Sequence, residues 1–154
     1  MPHISHLSHV VIRTHDIDKM TAFYTETLGL KVSHVTERMV FMSSEPERED
    51  HEIALARGRQ GTDSPIAHVA WNVPTTEEVL EYYQRFRAQG VPIDHCVSHG
   101  NTVSCYFADP EGNINEVFSL IDVEPGQGYN GPLDLERSAD EIEAQIRGLA
   151  TAAR

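Results

Sequence analysis

Residues 66–73 read Ile-Ala-His-Val-Ala-Trp-Asn-Val, and residues 9–12 read His-Val-Val-Ile. His68 answers His9 after 59 residues, and Gly90 answers Gly29 after 61. Such a period marks an internal duplication, and the segments around each histidine repeat in the same order. In the first half, Leu7–Ile12 is rich in β-branched residues and predicts a strand. Ile17, Met20, Phe23, Tyr24 and Leu28 then recur at helical spacing over Asp16–Leu28, with Gly29 as the stop. Leu30–Val35, Arg38–Ser43 and Glu52–Ala56 predict three more strands. In the second half, a strand at Ile66–Val73 is followed by a helix that opens on Thr75 and Glu78, carries Val79, Leu80, Tyr83 and Phe86 on one stripe, and stops at Gly90. Val91–Val97, Thr102–Ala108 and Ile114–Leu120 complete the second set of strands.

The expected fold is therefore α+β, with two tandem βαβββ modules at about 6–57 and 66–121 forming a curved mixed sheet around a cleft. Neither module has enough strands to close a core alone, so residues 1–121 are expected to form a single domain. Residues 122–154 break the pattern. A Pro- and Gly-rich connector, EPGQGYNGP, leads into an acidic amphipathic C-terminal helix that packs on this domain or on a neighbouring subunit.

The chain has 154 residues, with 12 Lys and Arg against 24 Asp and Glu, a formal net charge of −12. It has no basic run for a phosphate backbone, so a nucleic-acid partner is not expected. The first residues lack the basic and apolar regions of a secretory signal, and no apolar run is long enough to span a bilayer, which predicts a cytoplasmic protein with no membrane partner. Cys96 and Cys105 form no framework and are read as free thiols.

Nine histidines are present, and position separates them. Side chains alternate along a strand, so Leu7, His9 and Val11 share one face, and Ile66, His68 and Ala70 share the equivalent face. Glu116 lies in the apolar stretch INEVFSLI, where an unpaired buried carboxylate is costly and a cation would remove the cost. His9, His68 and Glu116 thus supply a 2-His-1-carboxylate set for a non-haem Fe(II) centre with open positions. The alternative is that both histidines are ordinary core residues and Glu116 faces solvent.

The chain resembles the vicinal oxygen chelate superfamily, which contains glyoxalase I, extradiol dioxygenases, epimerases and antibiotic resistance proteins. The marks lie in residues 6–121: HVVI, FYTETLGLKV, HVAWNV, and YFADPEGNINEVF with its Asp-Pro-x-Gly-Asn turn and following glutamate. The resemblance implies a metal cleft. Its glyoxalase-like members carry a fourth ligand in the last strand of the first module, where this chain has Ala54, Leu55 and Ala56. One-domain extradiol ring-cleavage enzymes resemble it further. The resemblance makes His51, 17 residues before His68, the catalytic histidine beside the oxygen site, which donates a proton as the O–O bond breaks. It makes His99 and Tyr106 hydrogen-bonding partners of a bound catechol, with Tyr106 ten residues before Glu116. Asp109 and Gly112 are read as turn-formers. His95 has no matching position, and His3, His6, His15 and His34 are assigned to the surface.

The resemblance implies an Fe(II) enzyme, Mn(II) being accepted by the same ligands, that cleaves a catechol such as 2,3-dihydroxybiphenyl with O2. Many relatives place two such domains in one chain, so a homo-oligomer is expected to complete this pocket. Two other readings stay open: an O2-independent epimerase or lyase, and a metal-free protein that sequesters an aromatic or drug-like ligand.

Overall fold

The computed structural model describes residues 9–48, 50–61, 66, 68–123 and 129–152. Expectations for His3, His6 and Leu7, and for residues 124–128 of the connector, lie outside the described residues. Contacts divide the chain into two compact units, Met1–Asp63 and Ser64–Arg154.

The first unit contains β1 (Val10–Thr14), α1 (Ile17–Ala22), β2 (Lys31–Val35), β3 (Met39–Ser43) and β4 (Ile53–Arg57). Its sheet runs β1-β4-β3-β2, with β1 parallel to β4 and the other pairs antiparallel. Asp16 caps α1 by accepting from the Lys19 N–H at 3.0 Å. The single helix expected over Asp16–Leu28 is divided instead. After Ala22 the backbone widens into a π-helical turn, Phe23–Thr27. The Thr21 hydroxyl donates to the Ile17 carbonyl at 2.6 Å, and the Thr25 hydroxyl to the Thr21 carbonyl at 2.9 Å. Threonine hydroxyls that bond back one turn compete with the backbone ladder and bend helices. Ile17, Met20 and Tyr24 remain fully buried despite the change of pitch.

The second unit repeats the plan: β5 (Val69–Asn72), α2 (Thr76–Gln89), β6 (Ile93–His99), β7 (Thr102–Ala108) and β8 (Ile114–Leu120), with β5 parallel to β8. Thr75 caps α2 by accepting from the Glu78 N–H at 3.3 Å. Gly90 ends it in the left-handed region, φ +68°, which costs glycine nothing. The strands at the start of each half are shorter than expected, so His9 and His68 each stand one residue ahead of β1 and β5.

The connector also holds a strand the sequence reading did not predict. β9 (Asn130–Pro132) pairs antiparallel with β6 and extends the second sheet to β5-β8-β7-β6-β9. The C-terminal helix is α3 (Ala139–Ala152), and it packs on α2 within the same unit. Ile142 and Ile146 are fully buried, and Thr76 at the start of α2 donates to Glu143 at 2.6 Å. Ile146→Ala is expected to lower unfolding free energy by about 2–5 kcal/mol, measured by urea denaturation. A change below about 0.5 kcal/mol would show that α3 is not part of the folded unit.

Both modules carry the same irregularity. The β2–β3 register slips between Val32 and His34, and the β6–β7 register slips between Ile93 and His95, 61 residues further on. Cys96 and Cys105 are register partners on β6 and β7 and are both free thiols. Among the described residues, no helix is long and apolar enough to cross a membrane.

Candidate metal centre

The second unit sets its chemistry in one row. Ala70 on β5 pairs with Glu116 on β8, Glu116 pairs with Tyr106 on β7, and Tyr106 pairs with His95 on β6. Directly paired residues point to the same side of a sheet, so their side chains share one face. The turn before β8 fixes where that row falls. Asp109 Oδ1 accepts from the Glu111 and Asn113 N–H groups at 2.9 Å each, and Asp109 Oδ2 accepts from the Asn113 amide at 2.7 Å. Gly112 takes φ +78°. Asp109 and Gly112 are therefore turn-formers, as expected from the sequence. A further clamp between β5 and β8 comes from Trp71 Nε1–H, which donates to Asn115 at 2.9 Å.

Glu116 is 6% exposed, and His68 Nε2 lies 3.5 Å from its Oε2. That separation is long for a charge-assisted hydrogen bond. It lies just beyond the spacing of two ligands on one ion, since donors each about 2.1 Å from a divalent metal sit roughly 3.0–3.4 Å apart in octahedral or tetrahedral arrangements. A carboxylate and an imidazole nitrogen fit such an ion as two of its ligands. His9 belongs to the first unit, where its ring centroid lies 4.5 Å from that of His51. Among the described residues, no group of three or more His, Cys, Asp and Glu is drawn together around a metal position.

Tyr106 is 7% exposed, and three histidines surround it. His68 meets the ring edge-on at 5.4 Å, His95 stacks on it at 4.3 Å with planes 9° apart, and His99 Nε2 lies 3.1 Å from its hydroxyl. Burial first, then the hydrogen bond to Glu116 and the charge of that carboxylate, push the phenol up to about 12. The Tyr106 hydroxyl is hydrogen-bonded to His99 Nε2, with the direction set by the His99 tautomer. The sequence reading set His95 aside; the signal that finds it is the β6–β7 pairing with Tyr106.

The raised phenol has a measurable consequence. In the metal-free chain, the absorbance titration assigned to Tyr106 by difference from Tyr106→Phe is expected near 12 rather than near the ordinary 10. The folded state holds this proton more tightly than the unfolded state, so stability present below pH 10 falls as pH rises from about 10 to 12. Tyr106→Phe removes that part of the alkaline loss. A Tyr106 titration at 10 would contradict its burial beside Glu116.

His51 sits in the first unit just ahead of β4, with its side chain 19% exposed. Its ring meets Phe41 edge-on at 4.9 Å, and its Nδ1 lies 2.6 Å from Asp50 Oδ2. The register also locates the first module's counterpart of Glu116. Phe41 pairs with Ala54 and Val11 pairs with Ala54, just as Tyr106 and Ala70 pair with Glu116. Ala54, fully buried, is the first module's counterpart of Glu116 and has no donor atom. Of the surface histidines, His34 on β2 is exposed, and exposed His15 bonds the Gly61 carbonyl at 3.1 Å.

The chain belongs to the Glyoxalase/Bleomycin resistance protein/Dioxygenase superfamily, whose model matches residues 6–117. Biphenyl-2,3-diol 1,2-dioxygenase 3 of Rhodococcus globerulus is 32% identical over 119 residues, 72% of this chain. The chain spans 61% of that enzyme's length. A lactoylglutathione lyase of Salmonella typhimurium is 28% identical over 135 residues, which is 79% of this chain and 98% of the lyase. A crystal structure of a variant of the fosfomycin resistance protein FosX of Listeria monocytogenes, complexed with Mn(II) and 1S,2S-dihydroxypropylphosphonic acid, is 25% identical. It covers 75% of this chain and 90% of its own, with a TM-score of 0.62. Members of the superfamily bind divalent metals, and the relatives named include a dioxygenase and a lyase.

Proposed function

We propose that the chain is an Fe(II)-dependent extradiol dioxygenase that cleaves a catechol, with His9, His68 and Glu116 as metal ligands and His51, His99 and Tyr106 as catalytic residues. The observation that carries this reading is the row on the second sheet: a buried carboxylate 3.5 Å from an imidazole nitrogen, next to a phenol bonded to a second histidine. His9 supports it by standing ahead of β1 where His68 stands ahead of β5. Ala54 supports it by withholding a fourth protein ligand, which leaves room for both oxygens of a diol and for O2.

When bound, Fe(II) supplies the exchange of electrons with O2 and lowers the pKa of oxygens attached to it. The chain's own groups do the rest. Tyr106, kept neutral by its raised pKa, holds its proton for donation to a catechol oxygen, and His99 Nε2 supports the same oxygen through the phenol. His51 moves a proton at its imidazole as the O–O bond breaks. The ring carbon–carbon bond beside the diol opens, both oxygen atoms end in the product, and no external reductant is consumed.

Anaerobic loading with Fe(II), followed by air and catechol or 2,3-dihydroxybiphenyl, is expected to give oxygen uptake together with a yellow ring-fission product. A second reading has its own support, because the match to the lactoylglutathione lyase runs nearly the full length of that enzyme. It makes the chain an O2-independent lyase or isomerase with the same ligands. Bound iron with neither oxygen uptake nor colour across several catechols would overturn the dioxygenase in its favour.

A further inference from the structure

We infer that Asp50 is a positioning residue that fixes the tautomer and orientation of His51, leaving Nε2 as its one working nitrogen; this rests on the role of His51 under the proposed function. The imidazole is held on several sides within the first unit. Asp50, its side chain 77% exposed, places Oδ2 2.6 Å from Nδ1, within hydrogen-bond reach. Phe41 meets the ring edge-on at 4.9 Å, and the His9 ring lies 4.5 Å away at 48°. The neighbouring carboxylate is engaged elsewhere: Glu52 accepts from the Ser44 N–H at 2.6 Å and the Ser44 hydroxyl at 2.7 Å. Its backbone is tied on both sides, with its N–H donating to Met42 and its carbonyl accepting from Val10. His51 therefore stands on a fixed backbone, and Asp50 is the carboxylate that meets its ring.

A neutral imidazole carries one N–H, and the partner of one nitrogen decides what the other does. With Nδ1–H donated to Asp50, Nε2 keeps its lone pair in the neutral ring and becomes the nitrogen that gains and releases a proton. Without Asp50 the ring reverts to the Nε2–H form that an isolated side chain favours in water. The working nitrogen would then already be occupied.

The test reads the tautomer directly. Long-range proton–nitrogen NMR on the full chain, prepared without paramagnetic metal at a pH where the ring is neutral, identifies His51 by its loss in His51→Asn. The native chain is expected to show the Nδ1–H pattern, Asp50→Ala the Nε2–H pattern, and Asp50→Asn, whose amide oxygen still accepts, the native pattern. In the Fe(II)-loaded protein, Asp50→Ala is expected to lower kcat for catechol cleavage about 10- to 100-fold with KM within about twofold, and Asp50→Asn to recover most of it. An unchanged tautomer in Asp50→Ala overturns the inference, as does an Asp50→Asn variant no better than Asp50→Ala. If the native chain cleaves no catechol, the proposed function fails while the NMR result still decides the role of Asp50.

Discussion

Glu116→Gln is expected to fold like the native chain and to bind Fe(II) more than about 100-fold more weakly, with ring cleavage lost in proportion. Losing an outer partner of a metal ligand typically costs 10- to 100-fold in affinity, so losing a charged ligand exceeds that range. Glutamine keeps an oxygen that can accept from Tyr106, so the phenol is not left unsatisfied, and only the charge is removed. Glu116 is 6% exposed and His68 is 3.5 Å away. A purely structural contact would respond differently: Glu116→Gln would then change fold stability and leave metal content untouched. Metal stoichiometry of purified protein and urea denaturation of the metal-free chain separate the two. Full iron occupancy in the variant would remove Glu116 from the ligand set.

The second large effect concerns His51. His51→Ala is expected to keep its iron and to lose about 10²- to 10⁴-fold in kcat, the range for removing a positioned acid–base group. KM should move little, since the proposed function gives the catechol oxygens to Tyr106 and His99 rather than to His51. Steady-state oxygen uptake with iron analysis on the same sample makes the comparison. Full turnover would deny His51 any part in proton transfer, and lost iron would make it a support of His9, whose ring lies 4.5 Å away.

Much of the architecture was legible because local signals agreed with one another. The Thr75 cap and Gly90 stop bounded α2, and the Asp109 turn delivered β8 over Ile114–Leu120 as expected. Tertiary effects hid the rest. β9 is three residues of Asn-Gly-Pro, a poor strand sequence that is extended only because β6 offers it an edge. The π-helical turn arises from threonine back-bonding, which leaves the apolar spacing intact and so is invisible to periodicity. At the candidate site, strand parity pointed to His68, the apolar stretch to Glu116 and the family resemblance to Tyr106, and the contacts that join the three come from the folded sheet. Asp50 and His95 were missed because neither lies in a period: one is held by a ring contact in a loop, and the other is reached through a strand slip.

The matching slips at Val32/His34 and Ile93/His95 bear on how this chain came to be. An extra residue at the same station in both halves is more simply inherited than acquired twice, so the irregularity predates the split between the halves. The present division of labour then comes down to replacements at stations that still correspond. Where one copy places Tyr106 beside Glu116, the other places Phe41 beside Ala54. One copy kept or gained the polar pair while the other kept an apolar pair on the same frame. Chemistry was thus redistributed between sister segments without disturbing the backbone that both had received.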